Sequence, residues 1–128
     1  MDHQLRRTTL AERLGDLEVD ALFVTGLPNV RYLTGFTGSN GQALVAASGS
    51  VFFTDTANHF IRKIDPAGKI STVACRCTVT HAPNAGSFAG DGGPATEALL
   101  NWPYGIELDG NKLYIADSYN HRIRVVNL

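Results

Sequence analysis

Val51-Phe52-Phe53-Thr54-Asp55 is the stretch of this 128-residue chain on which the fold depends, because two different sequence patterns use it as a strand. Before it, the apolar run 43–47 and the turn Ser48-Gly49-Ser50 predict a β-hairpin that ends in this stretch. After it, the segment that begins at Asp55 recurs later in the chain. We therefore expect a single strand to belong to two structural units at once.

The residues before this strand alternate helical and strand patterns. Apolar residues recur at helical spacing and predict an amphipathic helix over about residues 3–14. The continuous apolar run 21–24 predicts a short strand that is covered on both faces. Pro28 suits the first turn of a second, short helix, and Gly35 suits its C-terminal cap. These elements indicate an α/β unit that leads into the hairpin.

An internal repeat organises the rest of the chain. Residues 55–64 and 117–126 align in register, 62 residues apart, with Asp, Asn, His, Ile and Arg at matching positions. Each copy follows a strand that contains an aromatic residue and leads into another strand. We expect two antiparallel sheets, the first of strands 42–47, 51–55, 59–65 and 69–75 and the second of strands 104–108, 112–117 and 121–127.

The run Thr25-Gly26-Leu27-Pro28-Asn29-Val30-Arg31-Tyr32-Leu33-Thr34-Gly35, within residues 20–41, resembles the start of the creatinase-type N-terminal domain of Xaa-Pro peptidases. The resemblance covers residues 1–55, which we interpret as a truncated segment of that domain. In this family the dinuclear metal site lies in a separate C-terminal catalytic domain, whose Asp, His and Glu ligands have no counterparts in this sequence. The resemblance therefore implies no peptidase activity, and we expect no catalytic residue, no metal and no cofactor.

Residues 51–128 resemble NHL repeats, the four-stranded blades of a six-bladed β-propeller. The likeness rests on Asn58-His59, Asn120-His121, the run Gly90-Asp91-Gly92-Gly93-Pro94-Ala95-Thr96 and Pro103-Tyr104-Gly105-Ile106. It implies a surface for ligands or proteins, and for RNA in some members. About six strands, or one and a half blades, cannot close such a ring. The expected fold class is α+β, mainly β, in which an N-terminal helix and an α/β unit lead into propeller-blade-like antiparallel sheets. We expect these parts to form one folded unit.

The second sheet, as predicted, lacks its outer strand. Unpaired strand edges invite association with other chains. Either the strand 21–24 fills this place or a second copy of the chain does, and we expect a homo-oligomer that forms through open sheet edges.

Four basic residues are candidate binding residues: Arg62, Lys63, Arg122 and Arg124. On strands they form two local clusters that can line up as a ribbon for acidic ligands. Solvated charges at a sheet edge are the more ordinary interpretation. His59 and His121 occupy equivalent repeat positions, which favours a structural role in the turns over a catalytic one.

Cys75 and Cys77 are one residue apart, so on a strand both side chains point to the same face. A bridge between them closes a small, strained ring, and we expect two thiols. A zinc site requires further ligands, of which His81 is the local candidate.

Two expectations concern the segment before the second sheet. Residues 94–100 predict a short helix that begins at Pro94. Trp102 precedes Pro103, which favours an extended conformation, and core packing or an edge contact is favoured over stacking on a ligand.

Composition limits the possible functions. With 44% hydrophobic residues and a formal net charge of −1, the chain has no basic excess that favours nucleic acid. Residues 1–7 lack the apolar run of a signal peptide, and we expect a cytoplasmic protein without a membrane partner. We expect an engineered or recombined chimera without enzymatic activity, whose main property is folding and self-association. The alternatives are a small module that binds a ligand, protein or RNA through the NHL-like strands, and a non-catalytic partner of an Xaa-Pro peptidase.

Overall fold

The structure, a computed structural model, describes residues 2–37, 41–76 and 88–128. Its elements confirm the α+β, mainly β fold class. In chain order they are helix α1 (His3–Asp16), strand β1 (Ala21–Val24), helix α2 (Leu27–Thr34), and strands β2 (Ala43–Ala46), β3 (Val51–Asp55), β4 (Phe60–Ile64), β5 (Ile70–Ala74), β6 (Pro103–Asp109), β7 (Lys112–Asp117) and β8 (Arg122–Asn127).

The first sheet is antiparallel and has the order β1-β2-β3-β4-β5. Its last four strands confirm the sheet predicted across the shared strand. Strand β1 pairs with β2 from Ala21↔Ala46 to Val24↔Ala43, so the alternative in which residues 21–24 complete the second sheet is wrong. The reason is the bonding of β1 to the hairpin: besides the strand pairing, the backbone N–H of Ala47 donates to the Asp20 carbonyl oxygen at 2.8 Å.

Helices α1 and α2 cover one face of the first sheet. Side chains of β3 and β4 on this face pack against Leu14 of α1 and against Val30 and Leu33 of α2. Asp2 caps α1 by accepting hydrogen bonds from two backbone N–H groups of the first turn. Gly35 ends α2 in the left-handed conformation with φ of 74°, as predicted.

The opposite face of the first sheet packs against the second sheet, which has the order β6-β7-β8. Phe52 and Ile61 from the first sheet meet Leu113 and Ile115 from the second. The described residues therefore form three layers, with the helices first, the five-stranded sheet in the middle and the three-stranded sheet last. Residues of β3 point alternately into the two cores.

The segment before the second sheet differs from the predictions. Residues 94–100 are not a helix, since a 3-10 turn spans Ala95–Glu97 and Leu99 then forms an isolated bridge with Ala89 that requires extended backbone. Trp102 is not extended either but has φ of 51°. Its backbone N–H bonds to the first repeat across the layer boundary, and this contact overrides the local preference before Pro103.

Cys75 is disulfide-bonded, so the prediction of two thiols is wrong for this residue. The prediction assumed a regular strand, but β5 ends at Ala74 and Cys75 has φ of 95°. Cys77 and His81, on which the zinc alternative depended, lie outside the described residues.

Candidate functional site

The first copy of the repeat forms a compact turn that is held by one carboxylate. A 3-10 turn spans Thr56–Asn58 and ends at His59, whose φ of 66° is left-handed. Asn58 Nδ2 donates to Asp55 Oδ1 at 2.9 Å, and Arg62 Nε donates to Asp55 Oδ2 at 3.2 Å. The side chain of Asp55 thus fixes both ends of the turn.

The second copy repeats this geometry. A 3-10 turn spans Ser118–Asn120 and ends at His121, which has φ of 56°. Asn120 Nδ2 donates to Asp117 Oδ2 at 2.8 Å, and Arg124 Nη1 lies 3.4 Å from the same oxygen. The sequence repeat is therefore also a structural repeat, with Asp as its centre in both copies.

The first copy makes the junction between the two sheets. Thr56 Oγ1 donates to the Pro103 carbonyl oxygen at 2.8 Å, and the backbone N–H of Trp102 donates to His59 Nδ1 at 3.0 Å. Because Nδ1 accepts this bond, the imidazole is neutral, and burial lowers the pKa of His59 below its ordinary value. The Trp102 ring lies edge-on to His59 and also to Tyr119, with centroids 5.5 Å apart in the second pair.

The second copy has no such neighbour among the described residues. We call the face of the second sheet that points away from the first sheet the outer face; β7 and β8 contribute Tyr114, Ala116, Ile123 and Val125 to it, and β6 contributes Glu107. Ile123 is 66% exposed and Val125 is 50% exposed, whereas Ile61, the repeat equivalent of Ile123, is 0% exposed. The face carries a groove of about 350 Å³ that Phe23 of β1 closes at one side.

Arg124 is the most constrained of the four predicted binding residues. It is 8% exposed and donates to Asp91 Oδ1 at 2.7 Å and to the Ala89 carbonyl oxygen at 2.9 Å, in addition to its contact with Asp117. Its guanidinium therefore holds the loop before the second sheet. Sequence reasoning missed this role because Asp91 lies 33 residues away, outside the two copies 55–64 and 117–126 of the internal repeat.

The other three predicted binding residues are more accessible and do not form one ribbon. Arg62 and Lys63 are neighbours on β4, so they point to opposite faces of the first sheet. Arg122 is exposed, and its guanidinium lies 3.7 Å from the centroid of the Phe88 ring. Binding by any of the four stays a prediction.

A cavity of about 390 Å³ lies beside β8. Its walls include the loop 90–94, Ala74 at the end of the first sheet, Arg124 and Val126. Gly90 is required in this loop, because it has φ of 89° and a Cβ atom there would lie 2.7 Å from the Cα atom of Ala98.

Residues 2–37, 41–76 and 88–128 contain neither a cluster of metal-binding side chains nor a membrane-spanning helix. Within these ranges no group of three or more His, Cys, Asp or Glu side chains is placed to hold a metal ion. No helix described there is long and apolar enough to cross a membrane.

Comparison with known proteins gives two family matches. Residues 6–74 match the creatinase/prolidase N-terminal domain, and residues 100–126 match the NHL repeat. The two-part resemblance is thus confirmed, and the first match extends through β4 and β5, beyond the predicted residue 55.

Three relatives illustrate the two parts. The uncharacterized peptidase YqhT of Bacillus subtilis (strain 168) is 44% identical over 46 residues, which are 36% of this chain and 13% of that protein. NHL repeat-containing protein 2 of Homo sapiens is 32% identical over 80 residues, 61% of this chain and 10% of that protein. Teneurin-1 of Mus musculus is 34% identical over 93 residues, 65% of this chain and 3% of that protein. The chain therefore spans a small fraction of the length of each of these relatives.

Proposed function

The chain belongs to the creatinase/prolidase N-terminal domain family and also carries an NHL repeat, and from this premise we propose that it is a non-catalytic association module that binds protein through the outer face of its second sheet. The non-catalytic part of the proposal is supported by the extent of the family match. That match is to an N-terminal domain, and the peptidase relative aligns over 13% of its own length.

The observation that carries the proposal is the unequal burial of equivalent residues. Ile61 is 0% exposed because the second sheet covers it, whereas Ile123 at the same repeat position is 66% exposed. A contiguous exposed apolar patch on a folded protein is typical of an interaction site. Strand β8 adds to this tendency, because among the described strands it has a neighbour on one side, β7.

Self-association is the simplest form of this function. Two copies that bring their outer faces together remove Ile123 and Val125 from water, at roughly 25 cal/mol for each Å² of apolar surface buried. We expect a reversible oligomer, since Glu107 beside Tyr114 and Lys112 at the end of β7 add polar groups to the same face.

Sedimentation equilibrium or light scattering over a range of protein concentrations tests the proposal. The double substitution Ile123→Thr with Val125→Thr keeps β-branched side chains but reduces apolar surface, and we expect it to weaken association by about tenfold or more. Leu5→Gln is the matched control, because Leu5 is 62% exposed on α1, away from the second sheet. A wild-type chain that stays monomeric at high micromolar concentration, or a double variant that associates like the wild type, contradicts self-association.

Binding of RNA or another acidic ligand is less well supported by the contacts. The charges of Arg62 and Arg124 are already paired with Asp55 and Asp117. A test of this alternative is therefore best made at Lys63 and Arg122, and salt-dependent binding that is lost when both are changed to Gln supports it.

We also propose that the chain arose by recombination or engineering. The support is that one continuous sheet contains strands of the creatinase-type match, while the sheet packed on it contains the NHL match. Occurrence of the same fusion in the genes of many organisms contradicts this origin.

A further inference from the structure

We propose that two copies of this chain pair through the open edges of their β1 strands, with Ala21 of each copy hydrogen-bonded to Phe23 of the other. The two strands run antiparallel about a two-fold axis that passes beside Leu22. This interface lies on a different strand from the residues of β8 used in the proposed function. It therefore goes beyond that function and is compatible with it.

Strand β1 is the least protected sheet edge among the described residues. The described strands at sheet edges are β1, β5, β6 and β8. Strand β6 contains Pro103 and acidic residues, β8 contains two arginines, and a bulge interrupts the pairing of β5. Charges, prolines and bulges keep sheet edges from pairing with other chains. The sequence Ala21-Leu22-Phe23-Val24 has no charge and no proline, and its pairing with β2 is regular.

The backbone groups at the open edge of β1 belong to Ala21 and Phe23. The Ala47 N–H donates to the Asp20 carbonyl oxygen, so the backbone of Asp20 faces β2. Facing alternates along an antiparallel strand, so Leu22 also faces β2, whereas Ala21 and Phe23 face away from it. Among the described residues, no hydrogen bond outside the strand pairing uses the backbone of Ala21 or Phe23. Each of them therefore offers one donor and one acceptor at the edge.

A second β1 strand in antiparallel orientation matches these groups. With Leu22 opposite Leu22 of the second copy, Ala21 of each copy lies opposite Phe23 of the other. Each of these two pairs exchanges both of its N–H···O bonds, and the central Leu22 pair exchanges none. The register thus uses the backbone donors and acceptors of both edge-facing residues.

The side chains of β1 also fit this register. Phe23 pairs with Leu44 of the core between the sheets, and Leu22 pairs with Val45 of the core under the helices, so the two side chains point to opposite faces. On one face the large Phe23 meets the small Ala21 of the second copy, and on the other face the two Leu22 side chains meet. Pairing covers apolar surface that is exposed in the single chain, because Leu22 is 39% exposed and Phe23 is 44% exposed.

Charge favours the same arrangement. The register places the exposed Asp20 of one copy opposite Val24 of the other, two residues before the N-cap Gly26 of helix α2. No side chain caps this helix. A carboxylate near the N-terminus of a helix is favourable, because the free N–H groups carry partial positive charge. Asp20 is the one charged residue in the range 20–25, so no like charges meet in the pairing.

The pairing leaves the outer face accessible. The two-fold axis is perpendicular to the joined sheet, so the helices of both copies lie on one side of it and the second sheets lie on the other. One antiparallel sheet then runs through both copies. Ile123 and Val125 of each copy stay available for the association proposed above.

Disulfide cross-linking at Leu22 tests this pairing in the full chain. Opposite residues of a non-hydrogen-bonded antiparallel pair have Cα atoms about 4.5 Å apart, and a disulfide bridges Cα atoms about 4.4–6.8 Å apart. In a glutathione redox buffer, we expect Leu22→Cys to form a disulfide-linked dimer at least about tenfold faster than Leu27→Cys, because pairing raises the effective concentration of the thiol. Leu27 is the matched control, since it is 40% exposed but lies outside β1.

Mass spectrometry without reduction identifies the bond. A tryptic peptide of residues 14–31 linked to itself shows a bridge between the two introduced cysteines and excludes exchange with Cys75. Equal rates of cross-linking at positions 22 and 27 overturn the pairing of two copies. The edge of β1 then stays available to an extended segment of another protein.

Charge exchange at the two-fold axis gives a test that does not depend on thiols. Leu22→Lys and Leu22→Glu are each made in the Ile123→Thr, Val125→Thr background, so that association through the outer face contributes little. Like charges directly opposite each other destabilise strand pairing, whereas opposite charges stabilise it. We expect each variant alone to be monomeric and an equimolar mixture to form mixed dimers in native mass spectrometry. Misfolding of the variants cannot produce this recovery, and a mixture that associates no better than its components overturns the inference.

Failure of this inference and failure of the proposed function give different results. If the outer-face double variant weakens association but cysteine at position 22 links no faster than cysteine at position 27, the proposed function stands and the β1 pairing is wrong. If position 22 links rapidly and the outer-face double variant associates like the wild type, the β1 pairing stands and association through the outer face is wrong.

Discussion

The buried hydroxyl of Thr56 donates a hydrogen bond to the buried carbonyl oxygen of Pro103, and this bond joins the first repeat to the second sheet. Thr56→Val keeps the shape of the side chain but leaves the carbonyl without this donor. We expect the free energy of unfolding to fall by about 1–3 kcal/mol, the usual cost of a buried polar group that loses its partner. Urea denaturation followed by circular dichroism measures this change.

Ser118→Ala is the control for this substitution, because Ser118 has the equivalent position but is exposed. Its hydroxyl makes a local bond to the Ala116 carbonyl oxygen at 3.3 Å, which water can replace. We expect a change within about 0.5 kcal/mol. Equal losses in the two variants mean that the junction bond does not stabilise the fold.

Acid is expected to weaken the junction through His59. Burial lowers the pKa of this imidazole in the folded chain, so between that value and the ordinary value of about 6.5 the unfolded chain binds more protons. Stability is therefore complete above about pH 6.5 and is lost as the pH falls through the folded pKa of His59. Urea denaturation at a series of pH values measures this dependence.

His59→Asn tests the assignment of this pH dependence. Asparagine tolerates the left-handed backbone and offers an acceptor close to the position of Nδ1, but it does not titrate in this range. We expect the variant to lose most of the difference in stability between pH 7 and pH 5, whereas His121→Asn keeps it. A His59→Asn variant with the full pH dependence assigns the effect to another group.

The sequence was informative wherever a local pattern determined the structure. The hairpin pattern predicted β3, Gly35 marked the end of α2, and the Asp-Asn-His repeat placed both turns. These features depend on neighbours within a few residues or on a comparison of the chain with itself. Hence the two-sheet arrangement was predictable.

The contacts between distant segments were not predictable in this way. The sequence left open which sheet receives β1, and the pairing of Ala21 with Ala46 decides it. Trp102 adopts φ of 51° because its N–H reaches His59, which lies 43 residues earlier. Arg124 was interpreted as a surface charge, because no pattern in the neighbouring sequence indicates its ion pair with Asp91.

Removal of the Arg124 guanidinium is expected to lower the free energy of unfolding strongly. Asp117 is 0% exposed, and Arg124→Met leaves its carboxylate buried without this cation. We expect a loss of about 3–5 kcal/mol in the free energy of unfolding, as is typical when one partner of a buried ion pair is removed. Thermal and chemical denaturation at pH 7 provide the measurement.

Arg122→Met separates this effect from a general effect of charge. Arg122 is exposed and lies over the ring of Phe88, so we expect a loss below about 1 kcal/mol. If both variants lose the same amount, Arg124 contributes no more than a surface arginine does.

Gly90 is expected to tolerate no side chain. Gly90→Ala combines a left-handed backbone with a Cβ atom placed 2.7 Å from the Ala98 Cα atom, so the loop that Arg124 holds must move. Gly92→Ala has a similar φ, of 82°, but nothing lies within 4 Å of its Cβ position. We expect Gly92→Ala to cost about 1 kcal/mol and Gly90→Ala to cost at least about 1 kcal/mol more, by urea denaturation. Equal costs argue against the close contact with Ala98.

The chain cannot be divided at strand β3 into two stable halves, because both cores need this strand. Phe53 belongs to the core under the helices and Phe52 to the core between the sheets, so loss of this strand opens both. We therefore expect fluorescence of Trp102 and helical circular dichroism to report the same unfolding midpoint. Although the two families meet in one chain, the boundary between them in the sequence is not a boundary in folding.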